Sequence, residues 1–139
     1  MKHGYSILDH PADIGIEATG ATDAEAFGNA ATALMSIILD PAAIACRETR
    51  EIEITASDRE QLLVNWLTEV LYLYDGQRFV GNEFVIRELT GVHLKAAIGG
   101  ESFSRERHHT KLDVKAVTYH QLLIRQDTDG VLVRVFLDI

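Results

Sequence analysis

Two stretches carry a helix start signal followed by apolar residues at helical spacing, and their position among strand-like segments limits the folds this chain can adopt. A capping-box pattern, TDAE, stands at 22–25, and apolar residues recur every three or four positions from Ala26 until Asp40-Pro41 ends the run. The pattern recurs at 57–60 ahead of an apolar series that reaches Tyr74. Because each apolar stripe must be buried to stabilise its helix, the sequence predicts two amphipathic helices packed on a core.

Seven further segments have the composition of β-strands. They are rich in β-branched and aromatic residues, and several alternate in polarity as a sheet with one solvated face does. The DTDG stretch at 127–130 is a strong turn signal and predicts that the last two strands form an antiparallel hairpin. The order ββ-α-β-α-ββ-ββ predicts an α+β fold with two main helices on a mostly antiparallel β-sheet. The predicted strands cover residues 5–8, 14–19, 51–55, 84–88, 92–98, 117–126 and 131–137.

Length and composition indicate a single domain over residues 1–139. A chain of 139 residues with 47% apolar content can bury one core, and no low-complexity stretch or Pro/Gly-rich linker divides it. Charges interrupt the apolar segments short of the roughly 18 residues of a membrane span, and no signal-peptide core is present. We therefore expect a cytoplasmic protein with no membrane partner. The single cysteine, Cys46, excludes an internal disulfide, and we expect it to be buried or half-buried.

The net charge of −8 argues against nonspecific binding to nucleic acid, because such affinity comes from Lys and Arg displacing counterions from phosphates. We expect little affinity for bare tRNA, with any RNA effect arising through a partner. The segment 105–115 departs from this acidic average, although Glu106 and Asp113 lie within it. A small basic patch and a solvated loop of mixed charge both stay open as interpretations. Its basic side chains and histidines are Arg105, Arg107, His108, His109, Lys111 and Lys115.

Ionisable residues are concentrated in LDHPADIG at 8–15, the predicted connection between the first two strands. Asp9, His10 and Asp13 lie close together there, and Pro11 lacks the N–H that a strand ladder needs. We expect a tight, accessible turn with acidic groups at its edge. Such a turn is a candidate ion site. The alternative is that the two aspartates cap the turn by accepting hydrogen bonds from nearby backbone N–H groups.

The last residues, VFLDI, place two carboxylates side by side, since Asp138 precedes the α-carboxylate of Ile139. Two like charges about 4 Å apart repel by roughly 4 kcal/mol at an effective dielectric constant of about 20. A third carboxylate would increase this repulsion unless a cation lay among them, and divalent cations favour oxygen clusters of this kind. A frayed terminus with solvated charges is the alternative. The apolar strand that leads to the last residue favours a docked end.

Five segments in the same order and spacing resemble the archease family over essentially the whole chain. They are LDHPADIGI, LLVNWLTEVLYLYD, GE at 100–101, VKAVTYHQLLI and the terminal VFLDI, with Pro11 standing where the family usually has Thr. The resemblance implies a small α+β protein that assists an RtcB-type RNA ligase. That ligase joins a 2′,3′-cyclic-phosphate or 3′-phosphate RNA end to a 5′-hydroxyl end through a histidine-linked guanylate made from GTP. The archease accelerates guanylylation and supports multiple turnover.

The resemblance also implies roles for individual residues. Asp13 and Asp138 resemble the metal-binding acidic residues of the family. The resemblance also implies that the turn between the first two strands receives the C-terminal strand, so that these two aspartates face each other and the Ile139 carboxylate can join them. Lys115 resembles the basic residue needed for activation. The implied cofactor is a divalent metal ion, Ca²⁺ or Mn²⁺, and the implied role is activation of a partner by a protein with no catalytic residue of its own. The supporting residues of the same turn are His10 and Asp9.

Two other classes of function compete with ligase activation. A chaperone-like or specificity-modulating partner of other tRNA-processing enzymes, such as an RNA methyltransferase, would depend on an interaction surface rather than on a bound ion. A stand-alone hydrolase built on the same aspartates and His10 is disfavoured, because no GxSxG, P-loop or HExxH motif is present.

Four further residues have no assigned role. Glu101 is predicted in a Gly-Gly-Glu turn, and its role stays open together with that of His109. For His108 and His120 we favour partly buried or surface histidines with satisfied hydrogen bonds.

Overall fold

The structure, a computed structural model, describes residues 3–9 and 13–139. Within them the strands and helices follow the predicted order, with one short 3₁₀ helix added at Pro41–Ala43. No helix in the described part of the chain is long and apolar enough to cross a membrane. The elements are β1 Tyr5–Asp9, β2 Asp13–Gly20, α1 Asp23–Ile38, β3 Glu48–Thr55, α2 Arg59–Asp75, β4 Phe79–Leu89, β5 His93–Ser102, β6 Ala116–Asp127 and β7 Gly130–Asp138.

The strands divide between two sheets. One has the order β1-β2-β7-β6 and the other β3-β5-β4, and every pairing is antiparallel. The predicted α+β class is confirmed, and so is the hairpin of the last two strands, in which Asp127 pairs with Gly130. Polarity alternation indicates which strand residues face a core, but it does not indicate which strands are neighbours, so the division into two sheets was not predicted.

Both helices lie between the two sheets. α1 packs against β2 and β7 on one side and against β4 on the other, whereas α2 contacts β6 and β4. Ten of the 16 residues of α1 are buried, as expected for a helix covered on both sides. The fully buried Trp66 of α2 donates its indole N–H to the carbonyl oxygen of Phe27 in α1, at 2.9 Å. The core is therefore one continuous layer of helices between sheets.

The helix caps show how closely the local sequence determines the helix ends. Thr22 accepts a hydrogen bond from the N–H of Glu25, as predicted. In α2 the cap is Asp58, which accepts from the N–H of Gln61, while the side chain of Gln61 accepts from the N–H of Ser57. The second capping pattern is thus displaced by one residue, because the pair at 58 and 61 has the same spacing as the pair at 57 and 60.

Cys46 is exposed, so the expectation that it is buried or half-buried is wrong. It lies in the connection before β3, over Gly99 of β5, where a Cβ would meet its sulfur atom. A hydrogen bond with Glu83, together with slight desolvation and the negative charge of that carboxylate, raises the pKa of the Cys46 thiol. The thiol is therefore kept in its less reactive protonated form.

Candidate functional site

Asp13 and Asp138 are direct partners in the antiparallel pairing of β2 with β7. Residues at directly opposite positions point to the same face of a sheet, with Cβ atoms about 4.5–5.5 Å apart. The structure thus places the two aspartates opposite each other, as the family resemblance implies. Asp138 is exposed as predicted, whereas Asp13 is half-buried rather than fully exposed.

Apolar residues fix this register. Ile16 and Ala18 of β2, and Val135 and Leu137 of β7, are fully buried against the helices. Because side chains alternate along a strand, the odd-numbered residues of β2 must point to the opposite, outer face. A slip by one residue would expose the whole apolar set, so burial of the inner face holds Asp13 opposite Asp138.

Lys115 and Ile139 lie at the same end of the sheet. The backbone N–H of Lys115 donates to the carbonyl oxygen of Asp138, at 2.8 Å, and the lysine side chain is exposed. Ile139 packs against the hydrophobic core and is partly buried, in agreement with the expected docked end. The acidic end, by which we mean Asp13, Asp138 and Ile139, therefore lies directly beside Lys115.

The structure describes only part of the predicted turn that holds Asp9 and His10. His10 lies outside the described residues. Of Asp9 only the backbone is described, and it ends β1 opposite Ile14 of β2. The supporting roles expected for His10 and Asp9 stay predictions.

The donor types of the acidic end fit a divalent cation. Like charges at directly opposite positions of a sheet destabilise it, and a cation between them removes that cost. Carboxylate oxygens are the ligands that Ca²⁺ and Mn²⁺ prefer. The described part of the chain contains no group of three or more His, Cys, Asp or Glu side chains arranged to hold a metal. The site would therefore need the Ile139 carboxylate or water beside Asp13 and Asp138.

An aromatic ring supports this end of the sheet from the outer face. Phe136 is the direct partner of Gly15, and a Cβ at Gly15 would lie 2.8 Å from a ring carbon of Phe136 and 3.1 Å from the Cβ of Leu8. The His120 ring meets the Phe136 ring edge-on, with centroids 5.8 Å apart. Glycine at position 15 thus allows the ring to lie flat on β2, two residues from the acidic pair.

A bulge in β6 brings His120 over this ring. The pairing of β6 with β7 is interrupted between Thr118 and Leu123, and Gln121 has a φ of 50°, a conformation that residues other than glycine seldom adopt. Thr118 donates its hydroxyl to the carbonyl oxygen of Phe136 and accepts from the N–H of His120. The favoured interpretation of His120 as a surface histidine agrees with its exposure. The bulge was not predicted, although TYHQ breaks the polarity alternation of that strand.

We expect Gly15→Ala to lower the free energy of unfolding by about 1–3 kcal/mol, because the added methyl group overpacks the contact with Phe136. Urea unfolding followed by fluorescence of Trp66, the only tryptophan, measures the change. Gly91→Ala is the matched control, since the nearest atom to its added Cβ is 3.9 Å away. Equal stabilities of the two variants would show that the ring does not constrain β2.

Glu101 lies within β5 and is 2% exposed, so its predicted place in a turn is wrong. The two preceding glycines suggested a turn. In the structure they serve close packing instead, because a Cβ at Gly100 would meet the backbone of Val80 and one at Gly99 would meet the sulfur atom of Cys46. The strand therefore continues through both glycines and carries Glu101 into the interior.

Four donors surround the buried Glu101 carboxylate: the N–H of Ala45 at 2.8 Å, Arg47 at 3.1 Å, Arg107 at 2.8 Å and His108 at 2.9 Å. The hydrogen bond from the Ala45 N–H, with those from Arg107 and His108, outweighs burial and lowers the pKa of Glu101 to about 2. The carboxylate is therefore ionised and joins three separate segments of the chain.

His108 is fully buried, not partly buried or at the surface, but its hydrogen bonds are satisfied as expected. Its Nδ1 accepts from the N–H of Ser104 at 2.9 Å, so the proton on Nε2 is the one directed at Glu101. The basic side chains and histidines of the segment 105–115 therefore fall into two groups. Arg107 and His108 are engaged with Glu101, whereas the other basic residues and His109 are exposed.

This chain is similar to known proteins over nearly its whole length. The sequence profile of the Archease protein family matches residues 5–139. The chain is 40% identical over 139 residues to protein archease of Methanosarcina acetivorans, with 97% of this chain and 95% of that protein covered. Its fold is similar to the solution structure of Methanobacterium thermoautotrophicum protein 1598, with a TM-score of 0.83 and 34% identity over 98% and 99% of the two chains. The crystal structure of an archease from Thermotoga maritima, described as a possible chaperone, has a TM-score of 0.66 at 20% identity over both full lengths and is alike in fold.

Proposed function

Because the chain belongs to the Archease protein family, we propose that it activates an RtcB-type RNA ligase as a protein cofactor rather than as a catalyst. The observation that carries the proposal is the direct pairing of Asp13 with Asp138 beside the exposed Lys115. Two opposed carboxylates and one lysine at the end of a rigid sheet are groups that can hold a cation and contact a phosphate.

In this function Asp13 and Asp138 hold a divalent cation, with the Ile139 carboxylate as a third oxygen donor. The cation supplies positive charge that offsets the charge developing on phosphate during nucleotidyl transfer. The apolar inner face of β2 and β7 keeps the two carboxylates opposed, so they require little reorganisation when the acidic end meets the ligase.

Lys115 adds a positive charge that does not depend on the cation. Its backbone holds Asp138 in place through the N–H hydrogen bond, and its side chain extends into solvent. It is suited to contact a phosphate of the nucleotide or an acidic group of the ligase.

The experiment that tests the function is multiple-turnover RNA ligation by the cognate ligase with and without this protein. The substrate is an RNA pair with a 2′,3′-cyclic-phosphate end and a 5′-hydroxyl end. We expect the protein to increase both the rate of guanylylation from GTP and the number of ligation events per ligase. Equal guanylylation and equal turnover with and without the protein would reject the proposal.

We expect Lys115→Ala to lower activation of the ligase about ten- to a hundredfold, the range for loss of one charge-assisted contact. Cation binding by the acidic end should be unchanged, because alanine keeps the N–H that donates to Asp138. Guanylylation rates and calorimetric Mn²⁺ titration measure the two effects. Lys95→Ala is the matched control, since Lys95 lies in the other sheet beside Glu88. Loss of cation binding in Lys115→Ala would contradict this division of roles.

The competing function is that of a chaperone-like or specificity-modulating partner of another tRNA-processing enzyme. The Thermotoga relative is described as a possible chaperone. A chaperone acts through its surface and needs no bound cation, so variants of the acidic end separate the two functions.

A further inference from the structure

A cleft of about 400 Å³ lies between the end of α2 and the segment 103–115, which connects β5 to β6. Arg78, Arg105 and His109 line it together with the rings of Tyr74 and Phe103. No acidic side chain belongs to its lining in the described part of the chain. For a protein with a net charge of −8, a cleft lined by guanidinium groups and without carboxylates is an exception.

Arg78 is held in one conformation. Its φ is 54°, its N–H donates to the carbonyl oxygen of Tyr74, and its own carbonyl oxygen accepts from the N–H of Phe103 at 2.7 Å. Its guanidinium lies 4.5 Å from the ring centroid of Phe103 and 5.1 Å from that of Tyr74. The two rings stack on each other with centroids 5.6 Å apart. These contacts restrain the arginine and so lower the entropy cost of ordering it when a ligand binds.

The positive charges of the cleft have no carboxylate at contact distance within the described residues, although the charge of Arg78 reaches the carboxyl group of Asp75, where it opposes the rise in pKa that burial and Asp113 cause. No side-chain hydrogen bond or ion pair there involves Arg78 or Arg105. The carboxylate of Glu101 is engaged by Arg47, Arg107 and His108, so neither arginine of the cleft pairs with it. Arg78 and Arg105 thus keep their N–H donors for a ligand.

The segment that carries Arg105 and His109 is anchored on both sides. His108 is fixed between Ser104 and Glu101. Further along, the N–H of Lys111 donates to the carbonyl oxygen of Ile38 at 2.7 Å. A long connection without helix or strand that is nevertheless anchored to the core is typical of a binding loop.

We propose that this cleft is a phosphate-binding site for a nucleotide or an RNA strand. Guanidinium groups form strong, paired hydrogen bonds with phosphate oxygens, and an aromatic edge beside them suits a nucleobase or ribose. The phosphate can come from a single-stranded RNA or from a free nucleotide, because the recognising chemistry is the same. The site goes beyond the proposed function, since it requires neither the ligase nor the cation. With an RNA strand as its ligand, it would also replace the expectation, based on net charge, that RNA acts only through a partner.

The cleft lies within reach of the acidic end. Lys115 comes five positions after Thr110, which lies at the rim of the cleft, so the two are at most about 18 Å apart even in a fully extended chain. A strand whose phosphate is bound at Arg78 and Arg105 can therefore pass near Asp138 and Lys115. Because the whole chain is acidic, we expect the site to bind weakly and to lose affinity as salt increases.

The test is an NMR titration of the full chain at low salt with hexauridylate, GTP without metal and inorganic phosphate. We expect the largest amide shifts at residue 78 and at residues 103–110. Arg105→Ala should weaken binding about tenfold, the effect of losing one charge-assisted contact. Arg87→Ala is the matched control, because Arg87 lies in β4 and pairs with Glu51 at 3.6 Å, and it should bind as the wild type does.

The three probes distinguish the sources of phosphate. Tighter binding of hexauridylate identifies an RNA strand as the ligand, and tighter binding of GTP identifies a nucleotide. The absence of clustered shifts with all three probes would overturn the proposal. Equal binding by the Arg105→Ala and Arg87→Ala variants would overturn it as well. Neither result depends on whether the protein activates a ligase, so this inference and the proposed function can fail independently.

Discussion

Asp138→Asn is expected to reduce activation of the ligase to the level seen without this protein, while the fold stays intact. The substitution removes one of the two opposed carboxylates that would hold the cation. Asp138 is exposed, so the free energy of unfolding should change by no more than about 0.5 kcal/mol. Because the substitution removes a negative charge opposite Asp13, the free energy of unfolding of the metal-free protein should rise slightly.

Guanylylation of the ligase and urea unfolding of the variant measure the two effects. Asp129→Asn is the matched control, since it makes the same chemical change at the exposed turn before β7, at the far end of that strand. Asp13→Asn should abolish activation too, but its side chain is half-buried, so a stability cost is expected beside the functional one. Full activation by Asp138→Asn would favour the surface-dependent chaperone function instead.

Glu101→Gln is expected to have the largest effect on stability, lowering the free energy of unfolding at neutral pH by about 2–4 kcal/mol. The amide cannot accept from four donors as the carboxylate does, and the buried His108 loses its charged partner. Arg47 and Arg107 are partly exposed, so water compensates for part of their loss. Glu51→Gln is the control, because its carboxylate is exposed and its pairing with Arg87 contributes little.

The lowered pKa of the Glu101 carboxyl group makes the stability of the fold depend on pH. The pKa of Glu101 in the folded protein is lowered to about 2, below that of an unfolded glutamate. A lowered pKa stabilises the fold at pH values above the unfolded value, and this contribution is lost as the pH falls towards 2. We expect it to be about 3 kcal/mol. Wild type should therefore lose more stability than Glu101→Gln on acidification from pH 5 to pH 2, and parallel losses would contradict the assignment.

Much of the fold could be predicted because its signals are local. Capping residues, helical spacing and the turn at 127–130 each act within a few residues, and they placed both helices and the final hairpin correctly. The pairing of Asp13 with Asp138 was also within reach, because apolar alternation fixes the inner faces of β2 and β7. The pairing of these two strands with each other came from the archease resemblance, not from alternation.

The features that escaped prediction depend on contacts between distant residues. Glu101 forms hydrogen bonds with Ala45 and Arg47, which are more than fifty residues away in the sequence. The two glycines before it are typical of a turn, and only the position of the neighbouring strand shows that they belong to a strand. The bulge that places His120 over Phe136 likewise depends on a ring from another strand. The cleft around Arg78 combines a helix end with a loop, and only the fold brings them together.

The most direct test of the central claim is a calorimetric titration of Mn²⁺ into the wild type, Asp138→Asn and Asp129→Asn. If the acidic end holds the cation, the wild type and Asp129→Asn bind one equivalent with the same affinity, and Asp138→Asn shows no binding at that site. Identical titration curves for all three proteins would contradict the claim that Asp13 and Asp138 together form the cation site.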